Sequence, residues 1–505
     1  MPMWIVVSLI TAGCAGPAAP PSDKPTGADT QPDTSTPPPP TGDTGELAPP
    51  DTGTPPVRVS LAGADVRWLG AGAGDWAGRQ IGPAGDVNGD GLGDVLVTAH
   101  WSDAAGDDAG ATYLLLGPGG PGGSLADAHA ILLGEGPHDA SGVSATTAGD
   151  VDGDGFADLI IGADGHDVPL NNAGTIYLVR GPVAGTIDLA DADAKATGEG
   201  RGDLAGVSVA GVGDVDGDGL DDVLVGARYN DEAHPDAGAA YLLRGPLAGT
   251  SSLADADAKL LGESRGDWAG ITVAGVGDVD GDGLADLGIG ARYADRGPIL
   301  DVGASYLVLG PVAGTLDLSA AEAVFVAEGA GDEGGMIAGG GDTNGDGHDD
   351  VLIGARLNDR EAPDAGIAYL LQGPGYGVVD LALAHATITG EAGGDELGFR
   401  LDVIGDVDGD GNGELIIAGW RSDEVAYDAG AVYLFLGPVQ GLYRAGDADR
   451  IWLGEALGDW AGSSVSGGDI DGDGLAELMI GASFQDGAAE DAGAIYLVYA
   501  DSLRW

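Results

Sequence analysis

The stretch Asp86-Val-Asn88-Gly-Asp90-Gly-Leu-Gly-Asp94 sets the pattern for seven cassettes in this 505-residue chain. The cassette restarts at Asp150, Asp214, Asp278, Asp342, Asp406 and Asp469, in steps of 64 residues and finally of 63. So long and strict a period marks one supersecondary unit copied seven times, each copy carrying an oxygen-rich loop suited to a hard cation. Working outward from the cassette at Asp214 shows the grammar of a copy. Gly206-Val-Ser-Val-Ala-Gly-Val-Gly213 precedes it and Val223-Leu-Val-Gly-Ala-Arg228 follows. Beyond an acidic loop come Asp236-Ala-Gly-Ala-Ala-Tyr241-Leu-Leu-Arg-Gly-Pro246 and then Ala258-Lys-Leu-Leu-Gly262. These four short apolar or alternating runs, bounded by Gly, Asp or Pro, read as strands A to D. No stretch offers the 3.6-residue periodicity and caps of a helix. Seven copies of four antiparallel strands predict an all-β fold, a closed seven-bladed β-propeller.

The ends of the repeat favour a ring over an open stack, which would need atypical polar caps at both termini. The last copy stops after its strand C, Gly493-Ala-Ile-Tyr496-Leu-Val-Tyr499, while an orphan strand D, Val66-Arg-Trp68-Leu-Gly70, precedes the first. Gly70 keeps phase with Gly134, Gly198, Gly262, Gly390 and Gly454. The N-terminal strand is therefore expected to complete the last blade, which also removes long exposed edges. The domain reading is a leader at 1–13, a tether at 14–57 and the propeller at 58–505, a length of seven times 64.

The cassette has the form D-x-[DN]-G-D-G-x-x-[DE]. Its first, third, fifth and ninth side chains, with a backbone carbonyl at the seventh, can converge on one ion because the glycines let the loop curl. The candidate ligands are Asp86, Asn88, Asp90 and Asp94; Asp150, Asp152, Asp154 and Asp158; Asp214, Asp216, Asp218 and Asp222; and Asp278, Asp280, Asp282 and Asp286. The remaining copies supply Asp342, Asn344, Asp346 and Asp350; Asp406, Asp408, Asp410 and Glu414; and Asp469, Asp471, Asp473 and Glu477. All-oxygen ligation without His or Cys selects Ca²⁺ over zinc or copper, giving up to seven structural ions. An EF-hand is excluded, because positions 10 to 12 are apolar (Val95-Leu-Val97) where it needs a Glu and flanking helices. An ion-free Asx-rich turn is the alternative. Copies with Asn88, Asn344, Glu414 or Glu477 are expected to differ in affinity.

The pattern Gly-x-x-Val, Gly-Asp-Val-Asp-Gly-Asp-Gly-x-x-Asp-Val-Leu-Val-Gly-Ala, Gly-Ala-x-Tyr-Leu resembles the FG-GAP repeat of the integrin α N-terminal propeller and its bacterial relatives, over residues 58–505. The resemblance implies structural Ca²⁺ loops on the lower face and ligand contact on the upper one. Ala77, Ala205 and Ala269 stand where the Phe of "FG" would be, and Arg228, Arg292 and Arg356 replace the Pro of "GAP". Integrin leg domains and a membrane helix are absent from the sequence, so the resemblance extends to fold and ion role only.

The formal charge is −62, and seven divalent cations would still leave about −48. Such a balance excludes nucleic acid as a partner and disfavours an anionic membrane surface. Surface solubility or adaptation to high salt accounts for the excess. The single cysteine, Cys14, ends the run Thr11-Ala-Gly-Cys14 behind a short apolar segment. That segment resembles a bacterial lipoprotein signal, with Cys14 as the lipidated residue; a plain secretory signal is the alternative. The resemblance implies an exported lipoprotein of a Gram-negative outer membrane or cell surface, touching the membrane only through its lipid. Residues 15–57, rich in Pro, Thr, Asp and Gly, lack the apolar side chains to order themselves and would span roughly 40 Å as a coil.

Loops D–A and B–C are expected on the face opposite the cassettes. Their phased aspartates, such as Asp75 and Asp103, read as turn chemistry in preference to an anionic rim. Residues that break the symmetry are better recognition candidates. Trp76, Trp101, Trp420, Trp460 and Phe484 fall in these loops on three adjoining blades and form a candidate ligand patch, unless they only wedge between blades. No His-Glu-x-x-His, Gly-x-Ser-x-Gly or phosphate loop is present. The function expected is non-catalytic adhesion or binding of a protein or glycan by a monomer. A polysaccharide-active enzyme and a purely structural envelope protein are the alternatives.

Overall fold

In a computed structural model the protein is described over residues 56–168, 170–374 and 377–503. The leader, Cys14 and all but the last two residues of the 14–57 segment lie outside those residues. Strands and three-residue 3-10 turns make up the regular structure, and no α-helix occurs among the described residues. Seven sheets form a seven-bladed β-propeller.

The copy around Asp214 shows how a blade is built. Ala205–Gly213, Asp222–Ala227, Ala239–Leu243 and Ala258–Leu261 are strands A to D, each antiparallel to the next. Every residue of strand B is buried, because neighbouring blades cover both its faces. This is why Asp-Val-Leu-Val-Gly-Ala reads as a continuous apolar run and does not alternate. Gly226 in that strand answers a close approach: a Cβ there would collide with the Gly270 carbonyl of the next blade.

Each blade has five strands, which corrects the four expected. The fifth is short, starts at a glycine in all seven sheets but the sixth, and comes from the C–D connection of the following copy. Gly314–Asp317, for example, runs parallel to Ala258–Leu261 of the preceding blade. It covers the backbone edge that strand D would otherwise expose. Its residues are mostly exposed, so it lacks the apolar alternation by which a strand is read from sequence. A 3-10 turn follows; in six of the seven it is capped by Ser or Asp and drives one leucine into the core, and Leu61, Leu125, Leu189, Leu253, Leu318 and Leu381 are each at most 1% exposed.

The N-terminal segment contributes a strand to each of the sheets of the last two blades. Val57–Ser60 runs parallel to Arg450–Leu453 of the sixth blade, and Val66–Leu69 pairs antiparallel with Ala494–Val498 of the seventh. The core is distributed as seven apolar clusters, each between two neighbouring blades. One of them packs Ile470, Met479, Ile495 and Leu497 of the last copy against Val95, Val97 and Tyr113 of the first.

Candidate metal loops and upper-face site

Each cassette occupies the hairpin between strands A and B, where its first carboxylate is wrapped by the backbone. Asp86 Oδ1 accepts the N–H groups of Gly89 at 2.7 Å and Asp90 at 3.1 Å, and Oδ2 accepts Gly91 N–H at 2.9 Å. The left-handed glycines Gly89 and Gly91 (φ 76° and 87°) make this curl. The ninth side chain works from beneath. Asp94 is fully buried, and its oxygens accept Val87 N–H at 3.1 Å and Gly117 N–H at 2.9 Å, tying the hairpin to the end of strand C.

Oxygens within 4.8 Å of one another are contributed by Asp406, Asp408, Asp410 and Glu414; by Asp150, Asp152 and Asp158; by Asp214, Asp216 and Asp218; and by Asp278, Asp280 and Asp282. Asp154, Asp222 and Asp286 stand outside their trios. The cassettes with Asn88 and Asn344 show the same backbone wrapping, with Asp342 accepting Gly345 N–H at 2.7 Å and Gly347 N–H at 2.8 Å.

These residues fit a hard cation. Glu414 is completely buried and its Oε1 has no hydrogen-bond partner, a costly state for a carboxylate that a cation would relieve. Burial, aided by the neighbouring cassette carboxylates, pushes Glu414 up to about 8 and Glu477 to about 7. Asp158, Asp222 and Asp286 rise to about 6 for the same reasons. A bound divalent ion would supply the charge that otherwise only protons provide; the cassette oxygens would hold it.

Two cassettes carry a neighbour that the motif did not announce. Arg180 Nη1 lies 3.0 Å from Asp152 and Arg244 Nη1 lies 2.8 Å from Asp216. Both arginines stand just before a Gly-Pro pair, where other copies have Leu116, Leu309, Gln372 and Leu436. That departure from phase was the available signal. Asp103, Asp107 and Asp108 also bring oxygens within 4.8 Å, in a B–C loop at the opposite end of the strands. There Asp103 Oδ1 accepts Asp108 N–H at 2.9 Å, and the equivalent aspartates of the other copies make the same kind of bond.

On that upper face the five candidate aromatics form one connected chain. Ring centroids are 6.0 Å apart for Trp101 and Trp76, 4.5 Å for Trp76 and Phe484, 4.1 Å for Phe484 and Trp460, and 4.5 Å for Trp460 and Trp420. Phe399, absent from the sequence candidates, extends the chain by stacking on Trp420 at 4.3 Å. All five candidates are half-buried, so each braces its neighbour and still presents surface. Trp76 and Trp460 adopt left-handed backbone (φ 55° and 54°) at a position where other copies place Ala140, Leu204, Trp268, Glu333 and Glu396 in the same conformation. The turn is thus architectural, and the side chain it carries is free to vary.

Five stretches, residues 77–115, 142–179, 205–243, 334–371 and 461–498, match the FG-GAP repeat family. The chain carries FG-GAP repeats. Each matched stretch begins at strand A or a few residues before it and runs to the end of strand C. Integrin alpha-PS2 of Drosophila melanogaster is 31% identical over 182 residues, which cover 33% of this chain and 13% of that protein. Integrin alpha-3 of Cricetulus griseus is 30% identical over 161 residues, 31% of this chain and 15% of that protein. The FG-GAP chain therefore corresponds to a small part of these relatives' own length. A solved structure titled BBS1N in complex with ARL6DN, soaked with lead, aligns over 87% of this chain and 97% of that one, with 11% identity and a TM-score of 0.44. An overlay this loose carries no argument.

Proposed function

We propose that this integrin α-like FG-GAP propeller is a non-catalytic, Ca²⁺-stabilised adhesion or ligand-binding protein, displayed at a bacterial cell surface by a lipid on Cys14. The observation that carries the binding role is the aromatic chain from Trp101 to Trp420 on the face opposite the cassettes. Half-buried aromatics offer large contact area at little cost in side-chain entropy, and they stack on sugar rings or anchor protein partners. Nothing basic enough to attract nucleic acid accompanies them in a chain of charge −62. Among the described residues no helix is long and apolar enough to cross a membrane.

The test is a glycan and cell-surface binding screen of the whole protein, with and without Ca²⁺, repeated on Trp101→Ala and Trp420→Ala. The reading expects a ligand whose capture needs Ca²⁺ and weakens in both variants. Turnover of a polysaccharide in the same panel would replace it with a glycan-active enzyme. Capture of nothing would leave a structural envelope role.

A further inference from the structure

Below the aromatic chain the inner strands enclose a cavity of about 430 Å³, lined by strand A residues of all seven blades. Its upper end gathers arginines in a protein that has only 20 Lys and Arg against 82 Asp and Glu. Arg79 and Arg400 both donate to the Ser463 carbonyl oxygen, at 3.5 and 3.2 Å, so two guanidinium groups converge on one acceptor. Arg400 and Arg79 also face the ring of Phe399 at 5.0 and 5.6 Å. Arg292 reaches the Met336 sulfur at 3.2 Å, and its Nε is buried without a partner.

Carboxylates pair with most arginines of this chain, including the two nearest to this group. Arg228 lies 3.6 Å from Asp164, and Arg356 lies 2.7 Å from both Glu333 and Glu396. Among the described residues no carboxylate comes within 4.0 Å of Arg79, Arg292 or Arg400. Two further features aim polar capacity into the cavity. His100 is 7% exposed, and its Nδ1 is buried without a partner. Asp402, two residues along from Arg400, is bonded by the Ser466 hydroxyl at 2.8 Å.

We propose that Arg79, Arg292 and Arg400 form a binding site for a small oxyanion, a carboxylate or sulfate group, at the upper end of the channel. Unpaired cations facing one another inside a protein are costly, and a shared anion is the direct remedy. Guanidinium groups present forked N–H pairs that match the planar carboxylate and the sulfate oxygens. Burial and mutual repulsion lower Arg400 to about 9 and Arg79 to about 10, so both keep their charge at neutral pH. His100 is pushed down to about 3 by burial and the Arg79 charge, so it meets the anion as a neutral imidazole. The volume lies within the usual range for small-molecule sites, leaving room for an organic body on the anion. This site meets the aromatic chain above it at Phe399, and it holds whether or not that chain meets a macromolecule.

The test uses the whole protein in chloride buffer free of sulfate and phosphate, titrated with inorganic sulfate, glucuronate and, as a neutral control, glucose. Calorimetry and melting curves are read on wild type, Arg79→Gln, Arg292→Gln, Arg400→Gln and, as an exposed-loop control, Arg201→Gln. Sulfate and glucuronate should bind one per chain in competition and raise the melting temperature, while glucose does neither. Tighter binding of glucuronate would identify an organic acid as the natural occupant; equal binding would identify the bare oxyanion. Each channel variant should weaken binding about tenfold or more, the loss expected for a charge-assisted bond, and Arg201→Gln should not. Without added anion the channel variants should melt no lower than wild type, since each removes an unpaired cation. Failure of both anions to bind, or binding that all three channel variants retain, would overturn the proposal. So would channel variants that melt lower while the anions leave the wild type unchanged, because the arginines would then serve packing alone.

Discussion

Asp150 and Asp221 join two neighbouring cassettes through a closed pair of hydrogen bonds. Asp150 N–H donates to Asp221 Oδ2 at 2.8 Å, and Asp221 N–H donates back to the Asp150 carbonyl at 3.2 Å. Asp278 and Asp349 repeat the arrangement at 2.8 and 3.1 Å. At four further seams the equivalent residue is Ala157, Ala285, Gly413 or Ala476, and only the backbone half survives. The lower face is thus stitched loop to loop, with a side-chain stitch at two seams.

Asp221→Ala should therefore cost about 1 kcal/mol, the net value of one such bond, because other copies already manage without it. Chemical denaturation of Asp221→Ala and Asp349→Ala checks this; Asp231→Ala, in an upper-face turn, gives the comparison for a local bond.

The stabilisation given by Ca²⁺ should grow with pH. In the calcium-free fold Glu414 is held up to about 8, well above its ordinary 4.5. Between those values the unfolded chain has released a proton that the folded one keeps, so calcium-free stability falls as pH rises. A cation removes that penalty by taking the proton's place. Melting curves with Ca²⁺ and with chelator should lie close together near pH 5 and separate by pH 8.5; Glu414→Gln should shrink the gap.

Arg180 and Arg244 should weaken the cassettes they touch. Each places a positive charge about 3 Å from a third-position carboxylate, where it competes with the ion. These pairs are partly solvated, so the effect is 1 kcal/mol or less, about severalfold in affinity. In a Ca²⁺ titration, Arg180→Gln should move one ion from the weaker to the tighter class.

The seam between last and first copies can be probed with one methyl group. Gly493 has φ 85°, bridges to Ala77, and a Cβ there would fall on the Ala77 carbonyl oxygen. Gly458 has φ 79° with nothing within 4 Å of the same position. Gly458→Ala should cost about 1–2 kcal/mol, the penalty of a left-handed alanine. Gly493→Ala must also displace backbone, so its melting temperature should fall distinctly further.

The seven blades and the cassettes were legible because both are periodic, and a period survives without knowledge of contacts. Trp76 and Phe484 could be placed in one patch from their phase alone, although the 4.5 Å contact between them belongs to folding. The fifth strand escaped because Gly314–Asp317 owes its conformation to a neighbour's edge, not to its own apolar pattern. The arginine group escaped for a related reason. Arg400 begins strand A in the sixth copy, Arg79 lies two residues before strand A in the first, and Arg292 directly follows strand B in the fourth, so only ring closure makes them converge.

Cation binding by the cassettes is the claim on which the stability of the ring rests, and counting ions on the intact protein tests it most directly. After chelation and dialysis, Ca²⁺ titration with a parallel melting curve should find about seven ions per chain, one for each cassette, with the melting temperature rising by many degrees as they fill. A protein that takes up no Ca²⁺ and melts at the same temperature with or without chelator would contradict the account.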